Sequence, residues 1–322
     1  MKKKTLYKLM GSIVFLSTIL FGAIYYLGLQ YKVEKMAAVV DQNGPPIFTQ
    51  LIHGDFSNPL DKPMDAARIG EFLYVTDTNH KQVQVFDLSG TSVFRFGKQG
   101  ESEGQFMFPY GISGDKNEKV YVADLYTGKI SIFDSKGKFL KHFEEQDKKN
   151  KVIEAPAGLR IIDEKLYVTD IKKSKLFVFT LDGKKEMEIA TGANPEDKLA
   201  APNAVALDEE NIYVSDSGNQ RVIKYDLKGK YVATINGSKD GKGNSIFVNP
   251  RGVGVDNRGI LYVVNNLASS VSGFDSEGTR VFEFGSMGEE NEQFYLPNGL
   301  SIDQNGTIYI TDTVNQRIAV YH

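Results

Sequence analysis

The sequence predicts an all-β repeat domain of the propeller or solenoid class, preceded by one membrane-spanning helix. A proline opens the same phrase six times, at Pro63, Pro109, Pro156, Pro202, Pro250 and Pro297, in steps of 46, 47, 46, 48 and 47 residues. Internal repetition at a period of about 40 to 50 residues marks those architectures and outranks any local pattern. A strand-like word closing on a polar residue follows each proline, as in Leu73-Tyr74-Val75-Thr76-Asp77 and Ile308-Tyr309-Ile310-Thr311-Asp312.

Composition narrows the function classes. A chain of 322 residues could hold one large domain or two ordinary ones, and a single repeat domain fits better. Such a length buries roughly 75% of the unfolded surface, so no covalent staple is needed. There is no cysteine, which excludes disulfides, thiolate metal sites, a cysteine nucleophile and a lipidated cysteine. It also suits a compartment outside the cytoplasm. Residues 1–35 carry six lysines against Glu34, a net +5, and the remainder holds 32 basic and 40 acidic residues, a net −8. An acidic surface repels polyphosphate, so nucleic acid is disfavoured as a partner.

Lys2, Lys3, Lys4 and Lys8 precede an uncharged run over residues 9–31. At about 1.5 Å per residue this run exceeds the roughly 30 Å of bilayer hydrocarbon. Tyr25, Tyr26 and Tyr31 gather near one end as an interfacial belt would, and the lysine excess puts the amino terminus inside. A cleaved signal peptide is the alternative, but its apolar region is shorter and ends in a small-x-small site. The expected organisation is a cytoplasmic tail over residues 1–8, a single-pass anchor over 9–31 and a tether over 32–46 stiffened by Pro45 and Pro46. The repeat domain over 47–322 then stands outside the cell membrane.

Each repeat carries four phrases. The first follows the proline and is rich in Gly, Ala and β-branched residues, as in Gly252-Val253-Gly254-Val255. Small side chains fit where strands crowd around an axis, so this is the innermost strand. A turn with Asp, Asn or Gly follows, then the tyrosine-bearing strand. A third strand alternates apolar and polar residues, as in Val222-Ile223-Lys224-Tyr225-Asp226, which marks a half-buried strand. A glycine-bearing hairpin and a fourth strand with charged positions end the unit, suiting an outer edge. The sixth unit stops at His322 after its third strand, whereas Phe48-Thr49-Gln50-Leu51-Ile52 precedes the first unit unpaired. That segment is expected to complete the last sheet and close a ring, removing two exposed edges.

The words Asp216-Ser217-Gly218-Asn219-Gln220-Arg221-Val222 and Asp312-Thr313-Val314-Asn315-Gln316-Arg317-Ile318, read with the Pro-x-Gly and Tyr-Val-x-Asp phrases, resemble the NHL repeat, here of the membrane-anchored bacterial type. Repeat one has lysine for the arginine, and repeats two, three and five depart from the Asn-x-Arg part. The resemblance covers residues 47–322. It implies a six-bladed β-propeller with four-stranded blades, and no particular reaction.

The repeated Asp77, Asp124, Asp170, Asp216, Asn265 and Asp312 invite a metal-ring reading. Recurrence in every blade argues instead for structural acceptors in each blade's own turn, with Arg221 and Arg317 as donors. His53, His80, His142 and His322 cannot converge, which leaves no counterpart to the zinc-holding histidines of the related amidated-peptide-forming lyases. The residues after the prolines are Met64, Tyr110, Ala157, Asn203, Arg251 and Asn298. They differ between blades at the point where the innermost strand begins, so Tyr110, Asn203, Arg251 and Asn298 are the candidate binding residues at a channel mouth. Asn203 and Asn298 are similar to asparagines of calcium-dependent lactonases, but a hard cation also needs carboxylates, and only Asp65 is near. No nucleophile, zinc-helix or phosphate-loop motif is present. No catalytic residue, metal or cofactor is therefore expected. The function anticipated is a binding module for a protein, peptide or glycan partner, and its rival is a metal-dependent lactonase- or lyase-like enzyme at the mouth.

Overall fold

The computed structural model describes residues 44–190 and 195–322. The expected anchor over residues 9–31 and its flanks lie outside them. Among the described residues no helix is long and apolar enough to cross a membrane. Six four-stranded antiparallel sheets form the blades of a propeller, each running from a first, innermost strand to an outer edge. The first strands are Pro63–Ile69, Pro109–Gly114, Pro156–Ile162, Pro202–Leu207, Pro250–Val255 and Pro297–Ile302. Each lies against the first strand of the next blade, and the sixth lies against the first, so the ring is closed.

Each sheet has two faces to bury and only its neighbours to bury them against, so the core divides into six apolar wedges between consecutive blades. The wedge between blades 6 and 1 depends on closure. Phe48–Ile52 pairs antiparallel with Arg317–Tyr321, and Ile47 and His322 exchange two backbone hydrogen bonds of 2.8 Å. Ile52 is buried against Leu73, Phe86 and Ile318. Thr49 Oγ1 donates to the Val320 carbonyl, and Phe48 packs edge-on to Tyr321 at 5.7 Å. Between this strand and blade 1 lies a small hairpin, Gly54–Asp55 with Asn58–Pro59, that the repeat pattern does not contain. Asp55 Oδ1 accepts from the amides of Ser57 and Asn58 and makes the turn.

The residue that ends each second strand ties down the loop arriving from the preceding blade. Asp77 Oδ1 accepts from the amide of Asp61 at 2.7 Å, and His80, Gln82 and Gln84 surround its other oxygen. Asp124 Oδ2 takes the amides of Met107 and Phe108, and Asp170 Oδ2 those of Glu154 and Ala155. Asp216 Oδ1 takes Ala200, Asn265 Oδ1 takes Val248 and Asp312 Oδ1 takes Tyr295. Arg221 and Arg317 each bring Nε to 2.8 Å from their aspartate and extend the guanidinium to loop carbonyls, Arg221 to Lys198 and Arg317 to Glu289, Glu290 and Gln293. Charge-assisted bonds of this kind are the stronger ones, and they hold the loops of one face rigidly.

Ile52→Ala is expected to lower the unfolding free energy by about 2–5 kcal/mol, measured by urea denaturation. Val93→Ala, at an exposed position on the outer strand of blade 1, should change it by less than about 0.5 kcal/mol.

Candidate functional site

In every blade the pairing register of the first and second strands shifts just after the proline. A bulge bends its strand and re-aims a side chain. Here it turns the residue after each proline toward the axis, where Met64, Tyr110, Arg251 and Asn298 line the mouth cavity while Ala157 and Asn203 are buried beneath it.

Four of these residues meet at one oxygen. The Tyr110 hydroxyl accepts from Asn203 Nδ2 at 2.7 Å and from Arg251 Nη1 at 3.3 Å, and donates to Asn298 Oδ1 at 3.4 Å. Asn298 Nδ2 donates to the Met64 carbonyl at 2.9 Å. Blades 1, 2, 4, 5 and 6 are thus braced across the axis, while Met64, Tyr110 and Ala157 pack together. Arg251 makes no ion pair among the described residues, and its Nε is buried without a partner.

Below this node the channel is filled. Asp65 stands where the next two blades carry Gly111 and Gly158. Its Oδ2 accepts from Arg160 Nη1 at 3.3 Å and from the amide of Ile112, while Arg160 Nη2 donates to the Leu300 carbonyl. Burial pushes the Asp65 carboxyl above its usual range, opposed first by Arg160. A Cβ on Gly158 or Gly299 would come within 2.6 Å of a neighbouring blade's carbonyl, so only glycine permits this approach. About 10 Å³ of space is left here, so the mouth is a blind cup.

Above the node lies a cavity of about 610 Å³, floored by Met64, Tyr110, Arg251 and Asn298. Its walls separate into two classes of blade. In blades 1, 4, 5 and 6 the residue after the second-strand acceptor is polar and staples the next blade. Thr78 donates to the Pro109 carbonyl, Ser217 to Pro250, Asn266 to Pro297 and Thr313 to Pro63. Blades 2 and 3 have Leu125 and Ile171 there, and both line the cavity and pack on the Met64, Tyr110 and Ala157 cluster. The residue before the proline divides the blades in the same way. Lys62, Ala201, Asn249 and Leu296 have φ between +48° and +64°, a region non-glycine residues occupy only when held there. The acceptors of blades 1, 4, 5 and 6 grip the amide one residue earlier. Phe108 and Ala155 show no such turn, and Phe108 instead stacks on Tyr126, which is 69% exposed, with ring centres 4.6 Å apart.

The sequence pattern did not bring out Leu125, Ile171, Phe108 or the Asp65–Arg160 brace. The signal for the first two was present as an apolar residue where four of the six repeats are polar. The histidines lie elsewhere: His80 beside Asp77, His142 on the fourth strand of blade 2, and none lining this cavity. Among the described residues no group of three or more His, Asp or Glu is placed to hold a metal ion.

The 6-bladed beta-propeller family model matches residues 58–158 and 146–239, together more than half of the chain. The chain belongs to the 6-bladed beta-propeller family. An NHL repeat is matched within it over residues 294–321. Protein brain tumor of Drosophila melanogaster is 26% identical over 95 residues, which is 29% of this propeller chain and 9% of that protein. Among solved propellers, a gluconolactonase from Xanthomonas campestris superposes with a TM-score of 0.61 at 16% identity, over 86% of this chain and 94% of the other. A streptogramin B lyase gives 0.57 at 13% identity, over 85% and 97%. At such identities the likeness speaks for the propeller fold alone.

Tyr110→Phe removes the shared hydroxyl and leaves the groups of Asn203, Arg251 and Asn298 facing an empty position. The expected cost is about 1–3 kcal/mol in urea unfolding, with an unchanged secondary-structure spectrum.

Proposed function

We propose that this propeller is a binding module whose mouth cavity receives a protein or peptide partner. The observation that carries the reading is the departure from the repeat at one place. Four unlike side chains from separate blades are tied at the Tyr110 hydroxyl, under an apolar wall of Leu125 and Ile171 built where other blades keep a structural staple. A repeat protein diversifies where it meets a ligand and stays uniform where it packs. The cavity is within the usual size of about 300–1,000 Å³ for ligand sites. Its aliphatic wall suits apolar peptide side chains better than a glycan. The run over residues 9–31 supplies the anchor in this reading, presenting the propeller outside the cell membrane.

The second reading is an enzyme acting at the same mouth, the kind of activity named for two solved propellers of like fold, a lyase and a gluconolactonase. The carboxylates beside the cavity are poorly disposed for holding a cation. Asp61 is engaged by its neighbours Asn79 and Gln316, and Asp65 by Arg160 and backbone amides.

Photo-crosslinking capture from intact membranes tests the binding reading. Leu125→Asp with Ile171→Asp should abolish capture, and Glu209→Lys on a turn between the first two strands of blade 4 should leave it unchanged. Capture that survives the paired mouth change would overturn the choice of face. Stoichiometric, tightly bound calcium or zinc in the purified chain would favour the enzyme.

A further inference from the structure

We infer that the mouth cavity recognises a carboxylate carried on an apolar body, with Arg251 as its counter-ion. This rests on the reading of the mouth as the binding face and names the chemistry of what binds there. Outside residues 1–35 the chain holds 32 basic and 40 acidic residues, yet the cavity and its rim present three cations, Lys62, Lys81 and Arg251. None of the three makes an ion pair among the described residues. Lys62 and Lys81 lie over the Phe108 ring, at 5.0 and 5.7 Å from its centre. Arg251 is bonded to a neutral phenol. Among the described residues Asp61 is the one acidic residue lining the cavity, and Asn79 and Gln316 already hold its Oδ1.

A half-buried guanidinium without a carboxylate is costly unless something supplies one. The Arg251 Nη1 bond to Tyr110 tethers the guanidinium at the floor of the cup. With Nε buried, the N–H groups left on Nη1 and Nη2 form the end of a planar fork that matches the two oxygens of a single carboxylate. A phosphate dianion has no apolar body and would leave the wall of Leu125 and Ile171 uncovered. The apolar body is dictated by the opposite wall. Leu125, Ile171 and Phe108 line the cavity from blades 2 and 3, Leu296 adds apolar surface from the link into blade 6, and a volume of about 610 Å³ accommodates a residue or two of peptide rather than an ion alone. A peptide's free carboxyl end with an apolar last residue meets both demands, as does a free aliphatic acid.

Isothermal titration of the full chain with N-acetyl-leucyl-phenylalanine, the same dipeptide as its amide, octanoate and inorganic phosphate tests the assignment. The free acid should bind about tenfold or more tightly than the amide, and phosphate should not compete. Arg251→Met should erase the preference for acid over amide, and Arg251→Lys should keep part of it, with melting midpoints recorded to show that both chains fold. Octanoate binding as well as the dipeptide acid points to a free organic acid as the source, and weaker octanoate to a chain end. Either result supports the assignment. Equal binding of acid and amide, both lost in Leu125→Asp, overturns the carboxylate and leaves the mouth reading standing. Binding that persists in Leu125→Asp overturns both. Absence of binding by the dipeptide acid and octanoate, or a preference that survives Arg251→Met, overturns the carboxylate assignment.

Discussion

The seam between Phe48–Ile52 and Arg317–Tyr321 is the constraint on which the remaining structure depends. No blade can bury both faces of its own sheet, and each apolar wedge is shared by two blades. Five wedges could form in an open arc, but the sixth, which holds Ile52, Leu73 and Ile318, exists only if the chain's two ends of the propeller meet. Closure also abolishes two strand edges that would template association with other chains. With the ring shut, the first strands press together at the axis, and the glycines at positions such as 158 and 299 become obligatory.

Rigidity passes from the ring to the loops through side-chain acceptors. Asp77, Asp216, Asn265 and Asp312 hold the amide just ahead of a residue in the left-handed region. That grip offsets a backbone conformation which would otherwise cost about 1–3 kcal/mol. The outcome is a set of loop side chains with fixed directions around the mouth. Blades 2 and 3 depart from this scheme in two separate respects, the missing staple and the missing left-handed turn, and these two blades supply the apolar wall. The departure is confined to one sector, while blades 1, 4, 5 and 6 keep their polar staples.

Much of the fold was legible in the sequence because the chain says the same thing six times. Proline spacing gave the blades, and the orphan strand at Phe48 gave the closure. The identity of the second-strand closing residues gave their place at the end of that strand. Repetition cannot reveal what happens where it fails. Tyr110, Asn203, Arg251 and Asn298 could be singled out as non-uniform, but their meeting at one hydroxyl spans up to 188 residues and follows from ring geometry alone. Asp65 and Arg160 pair across the axis for the same reason. Leu125 and Ile171 read as ordinary loop residues until the staples in the other blades show what is missing. The hairpin at Gly54–Asp55 was hidden because it belongs to no repeat.

In the proposed reading Leu125 and Ile171 are kept apolar for the cavity at the expense of two inter-blade staples. Calorimetric melting of Leu125→Thr with Ile171→Thr tests this directly, since threonine can donate to the carbonyls of Pro156 and Pro202 as Thr78 and Thr313 do to their own neighbours. The expected midpoint is equal to or above that of the parent chain. A midpoint lower by several degrees would make the two residues plain core and contradict that reading.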